Sequence, residues 1–135
     1  MKTHLLIAFL LFPFLANANL VVKVAEPKTT GSKSVVKLEL KNTFSQKIES
    51  ARAVLFLLDD QGKVIGQSTK WVLGGGKKDS PTLAPNSSTT FNFVVSAEKP
   101  FSKTKLMFTR IILEGGKLAD PIKDVELGII QGGTK

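Results

Sequence analysis

The sequence predicts an all-β protein, an immunoglobulin-like sandwich of two sheets with about seven antiparallel strands, which follows a cleaved signal peptide. Apolar residues recur at alternate positions in short segments, and turn-forming residues separate these segments. No segment has the period of an amphipathic helix. About seven short strands in roughly a hundred residues are typical of a sandwich, because each of its two sheets buries one face.

Residues 1–18, MKTHLLIAFLLFPFLANA, have the layout of a secretory signal peptide. A short positive head precedes an apolar run from Leu5 to Leu15, and a small-residue exit ends at Ala18. The run is shorter than the roughly 20 apolar residues that a membrane span needs, and Pro13 interrupts it. We therefore expect cleavage after Ala18, export to the periplasm or the extracellular space, and no integral membrane span in the mature chain.

Cleavage also changes the chemistry available to the protein. The only histidine, His4, lies in the leader, and the sequence has no cysteine and no tyrosine. The mature chain therefore lacks the residues of Ser-His and Cys-His nucleophiles, and it lacks Cys and His ligands for zinc or copper. We expect no enzyme activity, no metal and no cofactor. Carboxylate pairs remain conceivable for a glycosidase, but nothing in the sequence brings together two of Asp79, Glu98, Glu114 and Asp120.

The predicted strands lie within residues 19–130, and 131–135 is expected to be a flexible tail. In order, the strands are Leu20–Val24, Val36–Lys41, Ala51–Leu58, Lys63–Leu73, Phe91–Val95, Leu106–Leu113 and Val125–Ile129. The second and fifth strands alternate apolar and polar residues, as half-buried strands do. Polar turns from Pro27 to Lys33 and from Asn42 to Lys47 separate the first three strands.

The later strands are bounded by equally clear turn signals. Asp59-Asp60-Gln61-Gly62 predicts a hairpin with Gly62 at a positive φ, rather than a calcium loop, because it lacks acidic ligands at alternate positions. The stretch from Gly74 to Ser88 predicts a long loop, and its Gly74-Gly75-Gly76-Lys77-Lys78 has the wrong spacing for a phosphate loop. Glu114 to Lys117 ends the sixth strand, and Pro121 precedes the last one.

The third strand has two apolar faces. If Val54, Phe56 and Leu58 point into the sandwich, then Leu55 and Leu57 point outward together with two alanines, and this outer face needs cover. One alternative is internal cover by the long loop, by the N-terminal strand or by the segment around Ile129 and Ile130. The other is an exposed patch at Leu55 and Leu57 that binds another protein or a second copy of the chain.

Phe56-x-Leu58-Asp59-Asp60, followed by Gly62-Lys63-Val64, resembles the FxLYD-type domain, an immunoglobulin-like or fibronectin-like module of exported bacterial proteins. Asp59 stands where that family has tyrosine. Two further segments fit the family, namely Leu40-Lys41-Asn42-Thr43 and Leu83-Ala84-Pro85-Asn86 with the Phe91-x-Phe93 that follows. Asn86 stands where glycine is usual, and asparagine tolerates the left-handed conformation. The resemblance implies a sandwich fold on an exported protein and no shared activity.

These observations lead to two expectations about function. The first is a non-catalytic exported domain that binds another exported or envelope protein through Leu55 and Leu57, through Trp71, through Lys77 and Lys78 in the long loop, or through a sheet edge that accepts a strand. A lone tryptophan in a sandwich more often belongs to the core, and this is the favoured alternative for Trp71. The second is a basic module that binds a polyanion, such as a cell-wall polymer, an anionic lipid or a nucleic acid, through Lys77, Lys78 and their neighbours. It is expected because the mature chain keeps a surplus of about seven positive charges.

Overall fold

The computed structural model describes residues 18–75 and 81–130. Within them the chain forms nine strands and a short 3-10 turn at Glu114–Gly116. The strands are β1 (Leu20–Val24), β2 (Lys28–Thr30), β3 (Lys33–Asn42), β4 (Ile48–Leu58), β5 (Val64–Leu73), β6 (Ser88–Ser96), β7 (Lys103–Leu113), β8 (Lys117–Ala119) and β9 (Val125–Ile129). Almost all of the predicted signal peptide, residues 1–17, and the predicted tail, 131–135, lie outside the described residues.

The strands form a sandwich of two sheets, which confirms the predicted fold class. The first sheet has the order β6, β3, β1, β9, with β2 also paired to β3, and the second has the order β5, β4, β7, β8. Every pairing between these strands is antiparallel except that of β9 with β1, which is parallel. Residues of both sheets contribute to one hydrophobic core.

All seven predicted strands are present, and two strands of three residues each are additional. One of them, β2, lies within the predicted turn from Pro27 to Lys33 and continues β1 along the same edge of β3. The register passes from Val24 opposite Leu38 to Lys28 opposite Val35, so one extra residue bulges between β1 and β2. The other additional strand, β8, follows the predicted turn at Glu114.

The inner faces follow the alternation that the sequence predicts in most strands. In β3 the side chains of Val36, Leu38 and Leu40 are buried, and Lys37 and Glu39 between them are exposed. Phe93 and Phe108 are buried on inner faces as well. Burying such residues removes apolar surface from water, at about 25 cal/mol per Å², and this burial stabilises the contact between the sheets.

The prediction of which face of β4 points into the core is wrong. Leu55 and Leu57 are completely buried in the core, together with the two alanines that precede them on the same face. Val54, Phe56 and Leu58 occupy the outer face instead. A shift of one residue exchanges the two faces of a strand, and in this strand both faces are apolar. The proposed cover by Ile129 also fails, because that side chain is itself exposed.

Asn42, at the end of β3, holds two loops together from a completely buried position. Its side-chain amide donates hydrogen bonds to the carbonyl oxygens of Gln46 and Leu83, both at 2.9 Å, and its Oδ1 accepts one from the backbone N–H of Phe44 at 2.8 Å. Asn86, in the second of these loops, has a φ of 63°. It therefore adopts the left-handed conformation that asparagine was expected to tolerate.

The chain crosses from the second sheet to the first in the turn between β8 and β9. Oδ1 of Asp120 accepts hydrogen bonds from the backbone N–H groups of Ile122 and Lys123, at 2.9 and 3.0 Å. The backbone N–H of Asp120 in turn donates to Oδ2 of Asp124 at 2.8 Å. Because this turn redirects the chain, β9 runs beside β1 in the first sheet and does not prolong β8 along β7.

Candidate functional site

One side of the sandwich has two incompletely paired edges. β8 pairs only with Ile111–Leu113, at the end of β7. The remaining edge of β7, Lys103 to Arg110, pairs with no strand among residues 18–75 and 81–130. On the first sheet, β9 pairs with β1 alone. Unpaired N–H and C=O groups along such edges can accept an additional strand.

A groove separates these two edges, and we call it the β7–β9 groove. It consists of two adjoining cavities of about 480 and 300 Å³. Lys105 and Leu106 of β7 and Leu127 of β9 line both of them. Since Leu106 is buried in the core, the groove extends from the surface to core residues between the sheets.

The side chains that β9 directs toward the groove are apolar and exposed. Leu127 lies beside Val22 and Ile129 beside Val24 in the parallel register, and Val22 is a core residue. The face of β9 that carries Leu127 and Ile129 is therefore the inner face of the first sheet. Nevertheless Leu127 is 52% exposed and Ile129 is 72% exposed, and Ile122 in the preceding turn is 77% exposed. Exposed apolar residues next to one another indicate an interaction surface.

The β7 border of the groove is basic. β7 has the sequence KTKLMFTRIIL, so it carries Lys103, Lys105 and Arg110 and no acidic residue. Lys103 and Lys105 are exposed and lie on the outer face, while Leu106 and Phe108 are buried on the inner face. A strand placed along this edge would therefore have apolar neighbours on one face and cations on the other.

The outer face of β4 is the second apolar surface. Val54, Phe56 and Leu58 lie on this face, and among them Val54 is buried while the other two are half-buried. Met107 stands opposite Val54 in the register and is exposed. The apolar outer face that the sequence suggested for this strand therefore exists, but Val54, Phe56 and Leu58 form it in place of Leu55 and Leu57.

Trp71 lies on the outer face of the second sheet and is half-buried, so it is not part of the core cluster. The guanidinium of Arg52 lies 5.4 Å from its ring centroid, which is a cation–π distance. A Cβ atom added to Gly75 would stand 2.5 Å from Trp71, so the ring packs against that glycine. Lys77 and Lys78, the other predicted binding residues, lie outside the described residues.

The acidic candidates belong to turns. Oδ1 of Asp59 accepts hydrogen bonds from the backbone N–H groups of Lys63 and Gln61, each at 2.9 Å, and Gly62 has a φ of 81°. The hairpin prediction is confirmed. The hydrogen bond from the Lys63 N–H, assisted by that from Gln61 and by nearby lysines, lowers the pKa of Asp59 from its usual value.

The predicted carboxylate candidates are not gathered at one place. Glu98 lies beside the turn that precedes β3, whereas the backbone N–H of Glu114 donates to Lys47 beyond the other end of β3. β3 spans ten residues, or roughly 30 Å, so these two carboxylates cannot act as a pair. Asp79 lies outside the described residues. Among the residues that are described, no three acidic, His or Cys side chains are grouped as metal ligands would be.

Sequence reasoning missed the residues that line the β7–β9 groove. The alternation of Val125, Leu127 and Ile129 predicts an inner face for β9, and the register agrees. What the alternation does not predict is that β8 stops at Ala119 and leaves that face open.

None of the helices in the described part of the chain has the length and hydropathy of a membrane span.

Comparisons with known proteins add information on the fold. No protein-family model matches the chain, and no curated protein matches it. The solved structure of the ApaA protein from Bordetella pertussis is similar, with a TM-score of 0.55 and 16% identity over 75% of this chain and 85% of that one. At this identity the similarity supports the all-β fold alone.

Two further solved structures have lower TM-scores, and we infer nothing about this chain from them. IrmA from Escherichia coli has a TM-score of 0.47, with 12% identity over 81% of this chain and 90% of that one. An exo-β-N-acetylglucosaminidase from Vibrio harveyi has a TM-score of 0.43 and 15% identity. The similar region covers 83% of this chain but only 18% of the glycosidase.

Proposed function

We propose that the protein is an exported, non-catalytic binding domain that recognises another exported or envelope protein. The observation that carries the proposal is the β7–β9 groove, where Leu127, Ile129 and Ile122 expose apolar surface next to core residues. Contiguous apolar surface on a small exported domain is costly to leave in water and is typical of interaction sites. The leader at residues 1–18 supports export, and the absence of His and Cys from the mature chain supports a role without catalysis.

Binding of a polyanion is the competing function, and the first sheet gives it little support. Lys23 stands opposite Glu39 on the outer face of that sheet, and Glu126 stands opposite Val21. Along β3 the exposed residues Lys37, Glu39 and Lys41 alternate in sign, so carboxylates interrupt the lysines of this face although the lysines outnumber them. The cations of β7 border an apolar groove, which suits a polypeptide with apolar side chains better than a hydrophilic polymer.

Site-specific photocrosslinking tests the proposal in the native compartment. A photoreactive residue is placed at Ile129 in the groove or, as a matched control, at Val94, which is exposed on the outer face of the first sheet. We expect a discrete protein adduct from position 129 and none from position 94. The adduct should persist at about 0.5 M salt, since salt screens charges but leaves an apolar interface intact. Loss of the adduct in high salt would favour the polyanion function, and equal adducts from both positions would exclude the groove.

A further inference from the structure

We infer that the β7–β9 groove binds an extended segment of another polypeptide, in which apolar and acidic residues alternate, as a strand added along Lys103–Arg110 of β7. The inference rests on the proposed binding function and specifies its site and the chemistry of its partner. Three features of the groove lead to it: the free backbone edge, the apolar floor and the basic border.

The free edge specifies an extended backbone. β7 has eleven residues, and β8 occupies its second edge over only three of them. The other eight can pair with a segment of the same length, about 26 Å long. Backbone N–H and C=O groups of such a segment would complete the hydrogen bonding of β7 whatever its sequence.

The apolar floor and the basic border of the groove determine which side chains the added segment should carry. On the inner face an added strand would lie over Leu106 and Phe108 and against Leu127, so alternate residues should be apolar. On the outer face it would lie beside Lys103 and Lys105, so the residues between should be acidic. Lysines on an open edge also repel basic strands, so the same pair of residues contributes to selectivity.

Charge also argues against a second copy of this chain as the occupant. If two β7 edges paired with each other, the cations of one copy would lie beside those of the other, because β7 carries no acidic residue. The whole chain has a formal net charge of +8, which adds to this repulsion. Both repulsions favour a different, acidic polypeptide over a second copy as the source of the partner segment.

Four synthetic eight-residue peptides with blocked ends test the inference. The probe alternates valine and glutamate. The controls alternate valine and lysine, group the same valines and glutamates into two blocks, or carry an N-methyl group on every residue of the probe. Binding to the purified protein is measured by NMR titration, together with hydrogen exchange of the β7 amides. We expect the probe to bind at least about tenfold more tightly than each control and to slow exchange within Lys103–Arg110 by about tenfold.

Variants of the protein locate the binding site. Leu127→Ser and Ile129→Thr should each lower the affinity for the probe peptide by about tenfold. Leu118→Ser should leave this affinity unchanged, because Leu118 is exposed on β8 and does not line the groove. The double variant Lys103→Glu, Lys105→Glu should reverse the preference and bind the valine–lysine peptide more tightly. This reversal depends only on exposed side chains, so it stays informative if a groove variant loses stability.

Several results would overturn the inference. Equal binding of the N-methylated peptide would exclude backbone pairing, and equal binding of the blocked-sequence peptide would exclude strand-like alternation. Displacement of the probe by polyphosphate with no change in β7 exchange would assign the site to polyanions. Formation of a dimer by the protein alone, with slowed β7 exchange, would make a second copy the occupant. A protein adduct from position 129 combined with any of these results would leave the binding function in place and overturn the inference of an acidic strand partner.

Discussion

The two sides of the sandwich are closed in different ways. On one side β5 approaches β6 so closely that a Cβ atom on Gly66 would stand 2.5 Å from the carbonyl oxygen of Ser96 and 3.3 Å from Cβ of Ala97. On the other side lies the β7–β9 groove, and there a Cβ atom on Gly128 would meet only Cγ of Lys23, at 3.9 Å. Packing therefore requires a glycine at position 66, whereas position 128, on the outer face of β9 beside Lys23, has room for a side chain.

The difference indicates where stability and binding reside. On the closed side β5 and β6 approach each other closely, and the neighbouring core residues Leu57 and Val95 are buried. On the open side, among the described residues, exposed side chains shield core residues such as Leu106. Changes on the closed side should therefore affect folding, while changes on the open side should affect what the protein binds.

The largest expected effect comes from truncating the core face of β4. Leu57→Ala should lower the free energy of unfolding by about 3 kcal/mol, because the side chain is completely buried and Gly66 lies next to it. Leu127→Ala, the matched change on the open side, should cost about 1 kcal/mol or less, since half of that side chain already contacts water. Equilibrium denaturation in urea measures both values. Equal losses would show that the groove is as important to folding as the core.

The next largest effect on stability is expected from substitutions of the two glycines. Gly66→Ala should destabilise the protein by about 2 kcal/mol, because the new methyl group must displace the backbone of Ser96. Gly128→Ala should change stability by only about 0.5 kcal/mol, in the stabilising direction, because alanine restricts the unfolded chain and meets no close atom here. Thermal and urea unfolding of both variants measure the difference, and an unchanged stability for Gly66→Ala would refute the close approach of β5 to β6.

The fold was predictable because most strands bury only one face. In β3 the regular exchange of apolar and charged residues determines both the existence of the strand and its phase. In β4 the existence of the strand was predictable and its phase was not, since apolar residues occur on both faces. The predicted phase places Ala51 and Ala53 on the outer face, yet both are fully buried in the core.

The groove was not predictable, because it depends on how long one strand is relative to another. β2 and β8 have three residues each and are mainly polar or exposed, so they leave no hydrophobic pattern in the sequence. Alternation in β9 does not specify that its neighbour is β1, nor that the pairing is parallel. These choices follow from tertiary packing and from the turn at Asp120, which local patterns do not encode.

The smallest expected effect compares the turns that serve the two sides. Asp59 organises the hairpin that leads into β5, and Asp120 organises the turn that leads into β9. The pKa of Asp59 is lowered chiefly by the backbone N–H of Lys63, and that of Asp120 chiefly by the backbone N–H of Lys123. Each carboxylate therefore stabilises the fold at pH values above its usual pKa of 3.8, and this contribution is lost as the pH falls through the lower pKa of the folded state.

Substitution of each aspartate by asparagine keeps an acceptor oxygen and removes the ionisation. Asp59→Asn and Asp120→Asn should therefore flatten the decline of unfolding free energy below about pH 4, measured by urea unfolding at several pH values. Asp60→Asn removes a carboxylate from the same hairpin without removing the two hydrogen bonds of Asp59, so it serves as the control. In addition, Asp120→Asn should speed hydrogen exchange in β9 while leaving exchange in β5 unchanged, because the turn at Asp120 leads only into β9, on the open side. If Asp59→Asn speeds exchange in β9 to the same extent, the two sides of the sandwich are coupled and the division between them fails.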